Sequence, residues 1–200
     1  MGVRAVVFDI GGVLEVTSEM TFLGDWLGRL GLTLDDVGPE LVEIWPLGEL
    51  GVVTESQVRE AIRTGLSVDQ QIADAVIADM WGQYLGVANT ELIDYLARLR
   101  PRFRTGLLSN SFVGARQRES AAYGFEDLVD DIVYSHEVGI AKPDPEIYLL
   151  ACRRLGIDPH ETVFVDDSEI AVTGAKSVGI TAILHESNTR TISTLDTLLT

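Results

Sequence analysis

The sequence has few basic residues, a single cysteine and no long apolar run. Its 200 residues include 15 Lys and Arg against 31 Asp and Glu, which gives a formal net charge of −16. This charge argues against nucleic acid and anionic membrane surfaces as partners. Because Cys152 is the only cysteine, no internal disulfide can form. A disulfide-stabilised scaffold and a basic nucleic-acid-binding module are therefore excluded.

The apolar residues are distributed in short segments. No stretch approaches the ~20 apolar residues that a membrane span requires. The first strand pattern starts almost at the N-terminus, so we expect no signal peptide. Together with the lone cysteine, these features predict a cytoplasmic protein.

Lysine is represented only by Lys142 and Lys176. Lys176 is expected late on a helix, where a cation interacts favourably with the helix dipole. Lys142 stands in a loop, directly before Pro143. Since arginine is otherwise the usual cation of this chain, the compact ammonium of Lys142 makes it a candidate functional residue.

Strand and helix patterns alternate through most of the chain. Helical patterns separate the strands, and this alternation predicts an α/β fold with a doubly wound, Rossmann-like parallel sheet. The predicted strands are 4–8, 103–108, 131–135, 162–166 and 180–184, and the predicted helices are 89–100, 112–123, 145–156, 168–178 and 190–199.

Residues 15–88 interrupt this alternation, because they contain helix signals and no convincing strand. Thr54-Glu-Ser-Gln57 has the form of a capping box that opens a helix. We therefore expect a helical cap at 15–88, inserted into an α/β core formed by 1–14 and 89–200. Its tryptophans, Trp26, Trp45 and Trp81, are each expected in the cap core, and Trp45, which precedes Pro46, is the first candidate among them for a substrate contact.

Four short motifs carry polar residues at strand ends or in adjoining loops, where parallel α/β sheets bind ligands. The first strand ends in Asp9-Ile-Gly-Gly12, whose glycines let the backbone turn and approach a bound group. The others are Ser109-Asn110, Lys142-Pro143 and Asp166-Asp167-Ser168. Each motif alone is weak, but the four in this order are strong evidence for one site.

In these motifs the chain resembles the haloacid dehalogenase (HAD) superfamily, and more closely its sugar-phosphate-phosphatase-like members with a small helical cap. The resemblance implies a hydrolase with Asp9 as nucleophile and metal ligand, Lys142 as stabiliser and Asp167 as metal ligand. It also implies phosphoryl contacts from Ser109 and Asn110. Asp166 would be a neighbouring ligand or a carboxylate that supports the ligands.

The chemistry of these residue types agrees with those roles. A carboxylate nucleophile divides phosphoester hydrolysis into two displacements through an acyl phosphate. Mg²⁺ held by Asp9, Asp167 and a main-chain carbonyl near Gly11 would offset the charge of the phosphoryl group. Lys142 would keep Asp9 ionised, and Ser109 with the neighbouring N–H groups would donate to the phosphoryl oxygens.

From this we predict a Mg²⁺-dependent phosphatase that acts on small soluble phosphorylated metabolites through an aspartyl phosphate. The catalytic residues would be Asp9, Lys142 and Ser109. The phosphate would contact Gly11, Gly12, Ser109, Asn110 and Lys142, and the metal would contact Asp9, Gly11, Asp166 and Asp167. The sequence does not indicate an oligomeric state.

Two positions depart from the pattern of the HAD phosphatases. Gly11 stands where most have a second Asp that protonates the leaving group, and Ala171 stands where many have an Asn. Glu15 could replace the missing acid, although a solvated turn carboxylate is the simpler expectation for it.

These departures keep two alternatives open. A 2-haloacid dehalogenase would use Asp9 without a metal and could bind the substrate carboxylate through a cap arginine such as Arg29 or Arg59. A catalytically impaired HAD-like module would bind a phosphometabolite or a protein without turning it over. The intact Asp9, Lys142 and Asp167 oppose the second alternative.

Overall fold

The structure, a computed structural model, describes residues 2–200. Across these residues the chain forms seven strands: β1 (Ala5–Phe8), β2 (Glu15–Val16), β3 (Val87–Ala88), β4 (Arg104–Ser109), β5 (Asp131–Tyr134), β6 (Thr162–Asp166) and β7 (Thr181–Leu184). Five of them form a sheet in the order β5-β4-β1-β6-β7, and each neighbouring pair is parallel. The five predicted sheet strands are confirmed, each to within two residues at either end.

Helices connect the strands and cover both faces of the sheet. They are α1 (Phe22–Leu30), α2 (Pro39–Glu49), α3 (Glu55–Gly65), α4 (Gln70–Tyr84), α5 (Thr90–Leu99), α6 (Ala115–Tyr123), α7 (Phe125–Leu128), α8 (Ser135–Val138), α9 (Pro145–Leu155), α10 (Glu169–Ser177) and α11 (Asn188–Leu198). Short 3₁₀ turns span Leu34–Asp36 and Pro159–Glu161. No helix among residues 2–200 has the length and apolar character needed to cross a bilayer.

Alternate residues of the central strands point to opposite faces and enter different cores. Val6 and Phe8 of β1 pack with residues of α5 and α11 on one face. Ala5 and Val7 pack with α9 and α10 on the other. Burial on both faces explains why these strands are continuous apolar runs, and it confirms the predicted doubly wound α/β fold.

The segment 22–84 contains four helices, α1 to α4, that share a separate apolar cluster. The predicted capping box is confirmed, because the Thr54 side chain accepts from the Gln57 N–H and the Gln57 side chain accepts from the Thr54 N–H. The expectation of no strand in 15–88 needs one correction. The two-residue strands β2 and β3 pair antiparallel at the two ends of the segment, so the chain leaves and re-enters the α/β core at one place.

The helical cluster is packed against the loop that follows β4. Phe112 and Ala115 of the α/β part belong to this cluster, and the Val113 N–H donates to the Gly48 carbonyl over 3.0 Å. A Cβ on Gly48 would lie 2.2 Å from the Phe112 ring. The glycine in α2 therefore allows the aromatic ring to pack directly on the helix backbone.

We predict opposite effects for two glycine-to-alanine changes, one in α2 and one in α4. Gly48→Ala should lower the free energy of unfolding by about 1–3 kcal/mol, because the new methyl displaces the Phe112 ring. Gly82→Ala in α4 has nothing within 4 Å of its Cβ. It should raise stability by about 0.5–1 kcal/mol, because alanine loses less backbone entropy in a helix. Equilibrium urea unfolding measures both, and an equal gain for both would contradict the described Phe112 contact.

Candidate active site

Polar residues from three adjacent strands meet at the carboxyl edge of the sheet. Asp9 follows β1, Ser109 ends β4 and Asp166 ends β6. The register aligns Phe8 with Leu107 and with Val165, so the three strands reach this edge together. The Asp9 N–H donates to the Val165 carbonyl over 2.8 Å and extends the pairing to the nucleophile candidate.

A buried lysine joins two of the carboxylates. Lys142 Nζ lies 2.8 Å from Asp9 Oδ1 and 2.6 Å from Asp166 Oδ2. The lysine side chain is only 4% exposed, so water screens these ion pairs weakly. Of the two lysines, Lys142 is the one at this edge, as the sequence predicted, while Lys176 lies exposed in α10.

Asn110 holds the Lys142 loop in place. Its Nδ2 donates to the Lys142 carbonyl over 2.9 Å, and its Oδ1 accepts from the Lys142 N–H over 2.7 Å. Both ends of the amide are thus used to fix the lysine backbone, which the sequence did not indicate. The phosphate contact expected from Asn110 stays a prediction, and it would have to come from the remaining N–H or from the backbone.

Three carboxylates form a cluster at the same edge. Asp9, Asp166 and Asp167 each offer an oxygen, and the three oxygens lie within 4.8 Å of one another. Asp166 is fully buried, and its Oδ1 also accepts from the Ser168 N–H over 2.8 Å. Asp167 is exposed. Asp166 is therefore fixed on both oxygens, whereas Asp167 faces outward.

Gly12 makes the close approach of Asp167 possible. It has a φ of +75°, and a Cβ there would lie 2.2 Å from the Asp167 carboxylate. Any other residue would both strain the turn and collide with that carboxylate. Gly11 is different, because nothing lies within 4 Å of a Cβ built there and its φ is not positive. The turn therefore leaves room for a side chain at Gly11.

The charges at this edge do not balance. Burial and the nearby Asp166 raise the pKa of Asp9 to about 7, although Lys142 opposes the shift. Burial lowers the pKa of Lys142, but Asp9 and Asp166 outweigh it and raise that pKa above its ordinary value. Burial and Asp166 also raise the pKa of Asp167. Three carboxylates share one ammonium, so the cluster carries an excess of negative charge that a further cation would offset.

A cavity of about 190 Å³ opens beside Gly11 and Ser109, and two glutamates line it. The expectation of a solvated Glu15 is wrong. Glu15 is 1% exposed, and its Oε1 accepts from the Gly86 N–H, because its place in β2 turns the side chain inward against β3. Burial raises its pKa.

Glu119, the other glutamate of this cavity, was not predicted from the sequence. It is 1% exposed, and one of its oxygens accepts from the Tyr134 hydroxyl over 2.8 Å. Burial raises the pKa of Glu119 to about 8. Its helix, α6, is rich in charged residues, so the sequence does not distinguish Glu119 from an ordinary exposed acid. Only its burial in the folded chain sets Glu119 apart.

The remaining sequence candidates lie away from the cluster or have other partners. Arg29 pairs with Asp79 at 3.1 Å, and Arg59 pairs with Asp74 at 2.6 Å, on the exposed side of helices α1, α3 and α4. Neither arginine lines the cavity beside Gly11. Ala171 is buried in α10 and its carbonyl accepts from the Tyr148 hydroxyl over 2.8 Å.

The raised pKa of Glu119 predicts a pH-dependent stability. Because the folded pKa of about 8 exceeds the ordinary 4.5, the folded chain holds a proton that the unfolded chain releases. This contribution is complete below pH 4.5 and is lost as pH rises through 8. The variant Glu119→Gln stays neutral and can still accept the Tyr134 hydrogen bond. It should therefore not lose this stability as pH rises.

We therefore expect the difference in melting temperature, Glu119→Gln minus wild type, to increase from pH 5 to pH 9. Glu43→Gln, a change of the same kind at an exposed position of α2, is the control and should show no such trend. A difference that is constant across this pH range would mean that Glu119 is ionised in the folded protein.

Comparisons with known proteins agree with the geometry. Residues 3–179 match the haloacid dehalogenase-like hydrolase family. A relative named phosphatase MT3486, from Mycobacterium tuberculosis, is 31% identical over 212 residues, covering 96% of this chain and 91% of the relative. This match and the family match each cover most of the chain.

Solved structures give the same result. A HAD family enzyme of Bacteroides thetaiotaomicron, in complex with magnesium and inorganic phosphate, has a TM-score of 0.73 at 26% identity and covers 94% of this chain and 96% of that one. A 2-haloacid dehalogenase of Pseudomonas syringae, with a TM-score of 0.68 at 24% identity over 92% and 86% of the chains, shares the fold alone. The chain thus belongs to the haloacid dehalogenase-like hydrolase family, as its four motifs predict.

Proposed function

We propose that this hydrolase is a Mg²⁺-dependent phosphatase of small phosphate esters that works through an aspartyl phosphate on Asp9. The observation that carries the proposal is the position of the Lys142 ammonium, between Asp9 and Asp166 and beside Asp167. The names of the Mycobacterium relative and the magnesium and phosphate bound to the Bacteroides enzyme support it.

In this proposal Asp9 attacks the phosphorus. Its Oδ1 is held by the Lys142 ammonium and by the Ile10 N–H, each at 2.8 Å, which orients the carboxylate and leaves Oδ2 to attack. Lys142 offsets negative charge as the attacking and leaving oxygens share the phosphorus. Ser109 and the Asn110 N–H would donate to the phosphoryl oxygens, whereas the Ser111 N–H already donates to Ser135 Oγ over 2.9 Å. Gly12 allows the Asp167 carboxylate to approach the turn after β1.

The carboxylate cluster suits a hard cation. Asp9 and Asp167 of this cluster, with the Gly11 carbonyl, would supply the oxygen ligands that Mg²⁺ prefers, and the excess of negative charge favours such an ion. When bound, the ion would neutralise charge on the phosphoryl group. Asp166 would act through Lys142 and Ser168, because both of its oxygens already have protein partners.

The helical segment 15–88 would act as the cap and the segments 1–14 and 89–200 as the core. Support comes from the pairing of β2 with β3, which joins the two ends of the insertion, and from the separate apolar cluster of α1 to α4. Residues of the cap, such as Tyr84, line the cavity beside Gly11. The cap would thereby exclude water and contact the leaving group.

The dehalogenase alternative is less well supported. The carboxylate of a 2-haloacid needs a cation besides Lys142, yet Arg29 and Arg59 are paired with other acids outside the cavity. The lining of the cavity beside Gly11 includes no Lys, Arg or His. A phosphate ester would obtain its second cation as Mg²⁺ at the carboxylate cluster and not from this lining, so the lining favours the phosphatase.

A metal-controlled activity panel tests the proposal. Acetyl phosphate, an aryl phosphate, a sugar phosphate and a 2-haloacid are each assayed with Mg²⁺ and with a chelator. We expect phosphate release only with Mg²⁺, and none from Asp9→Asn, which keeps the shape of the side chain but cannot attack. Halide release regardless of metal would select the dehalogenase, and no turnover of any substrate would select the impaired binding module.

The buried lysine provides a second prediction. Lys142→Ala should reduce kcat by on the order of 10²–10³, because the positive charge acts most strongly as the transition state forms. It should also destabilise the fold by about 3–5 kcal/mol, since it leaves two adjacent buried carboxylates without their cation. Lys142→Arg should not restore full activity, as a planar guanidinium cannot occupy the place of a compact ammonium.

Lys176→Ala is the matched control, because this lysine is exposed at the end of α10. Steady-state kinetics with Mg²⁺ and urea unfolding of the purified variants give both quantities. If Lys176→Ala proved the more damaging change, the assignment of Lys142 would be wrong.

A further inference from the structure

A second cavity, of about 480 Å³, adjoins the one beside Gly11 and extends under the cap helices. Met20, Tyr84 and Asn110 line both cavities, so the two lie side by side at these residues. A phosphoryl group held between Asp9 and Ser109 would thus have its leaving group directed either into this second cavity or to solvent. We call the second cavity the cap chamber; its lining is Met20, Phe22, Leu23, Trp45, Glu49, Met80, Tyr84, Asn110, Ser111 and Phe112.

The wall of the cap chamber is mainly apolar and contains three aromatic rings in contact. The Trp45 ring lies 5.7 Å from the Phe22 ring, edge to face, and 5.4 Å from the Phe112 ring. Phe112 is in turn held against Gly48 of α2. These contacts fix the rings in place, so the chamber is a preformed apolar site.

Most polar side chains of the wall already have protein partners. The Asn110 amide is bonded to the backbone of Lys142 on both sides. The Ser111 hydroxyl lies 2.6 Å from His136 Nδ1. The Tyr84 hydroxyl interacts with Glu119 and with the Phe112 backbone. The exposed Glu49 is left, which is too few groups to satisfy the hydroxyls of a sugar. A buried hydroxyl without a partner would weaken binding.

The chamber also lacks positive charge. The linings of both cavities include no Lys, Arg or His, and Glu49 adds a negative charge at the chamber. A leaving group with a carboxylate or a second phosphate would find no cation there. An uncharged group meets no such penalty.

From these observations we infer that the substrate is a phosphate monoester whose leaving group is uncharged and mainly apolar, such as an aromatic or branched aliphatic alcohol. The inference rests on the proposed phosphatase function and specifies its substrate class. Each methylene that enters the chamber should tighten binding about three- to fourfold, as expected for apolar surface removed from water.

Alkylphosphonates test this, since they cannot be hydrolysed and their binding does not depend on leaving-group departure. Their inhibition constants are measured against Mg²⁺-dependent hydrolysis of acetyl phosphate, whose small acyl group does not need the chamber. From methyl- to hexylphosphonate the constants should fall three- to fourfold per methylene until the chamber is full. 2,3-Dihydroxypropylphosphonate should bind more weakly than propylphosphonate.

Two leucines of the cap give a matched pair of variants. Leu23→Gln places an amide in the chamber and should flatten the dependence on chain length. Leu34→Gln, at a position 75% exposed and outside the chamber lining, should leave it unchanged. If Leu23→Gln does not fold, Met20→Gln, at a position 43% exposed on the chamber wall, provides the same test.

The outcomes separate the inference from the function on which it rests. A flat chain-length dependence, or tighter binding of the dihydroxypropyl compound, with acetyl phosphate still hydrolysed, would overturn the inference and leave the phosphatase standing. No Mg²⁺-dependent hydrolysis of acetyl phosphate would overturn the proposed function and the inference with it.

Discussion

A buried ammonium between two carboxylates is the interaction on which the arrangement of this site depends. Removing Asp9, Asp166 and Lys142 from water costs several kcal/mol per ion unless the charges pair with good geometry. The distances of 2.8 and 2.6 Å from Lys142 Nζ provide that pairing. The neighbouring strands β1 and β6 supply the acids, and Asn110 after β4 fixes the loop that carries the lysine. Four segments distant in sequence are thereby held in one place.

The overall charge and the local charge of the protein act in opposite directions. A net charge of −16 repels a phosphorylated substrate at long range. At the carboxylate cluster the ratio of acidic to basic groups is higher than in the whole chain, because one ammonium faces three carboxylates. That excess is what makes the cluster receptive to a divalent cation, and an ion there would keep Asp9 ionised against the effect of burial. Attraction of an anionic substrate would then come from the bound cation and Lys142 rather than from the protein surface.

The sequence predicted the five strands of the sheet, the helices between them and the residues that meet at its edge, because apolar periodicity and strand-end positions are local signals. It did not predict the partners of those residues. The Asn110 amide binds Lys142, Phe112 packs on Gly48, and Glu15 turns inward against Gly86. Each of these contacts joins segments far apart in the chain. Glu119 in particular looks like one more charged residue of a polar helix, and only the folded chain buries it.

The backbone conformation at Gly11 does not require a glycine, since its φ is not positive and a Cβ there would meet nothing within 4 Å. An Asp at this position would supply a proton donor. With Gly11 the same place is open space beside Ser109. Two carboxyl groups with raised pKa values, Glu15 and Glu119, face the same cavity, but both are held by hydrogen bonds from other residues. Departure of the leaving group then depends on how stable its own oxyanion is. Phenols satisfy that requirement and would also fit an apolar chamber, whereas aliphatic alcohols would fit the chamber but leave poorly, so the chemistry favours the aromatic members of the inferred substrate class.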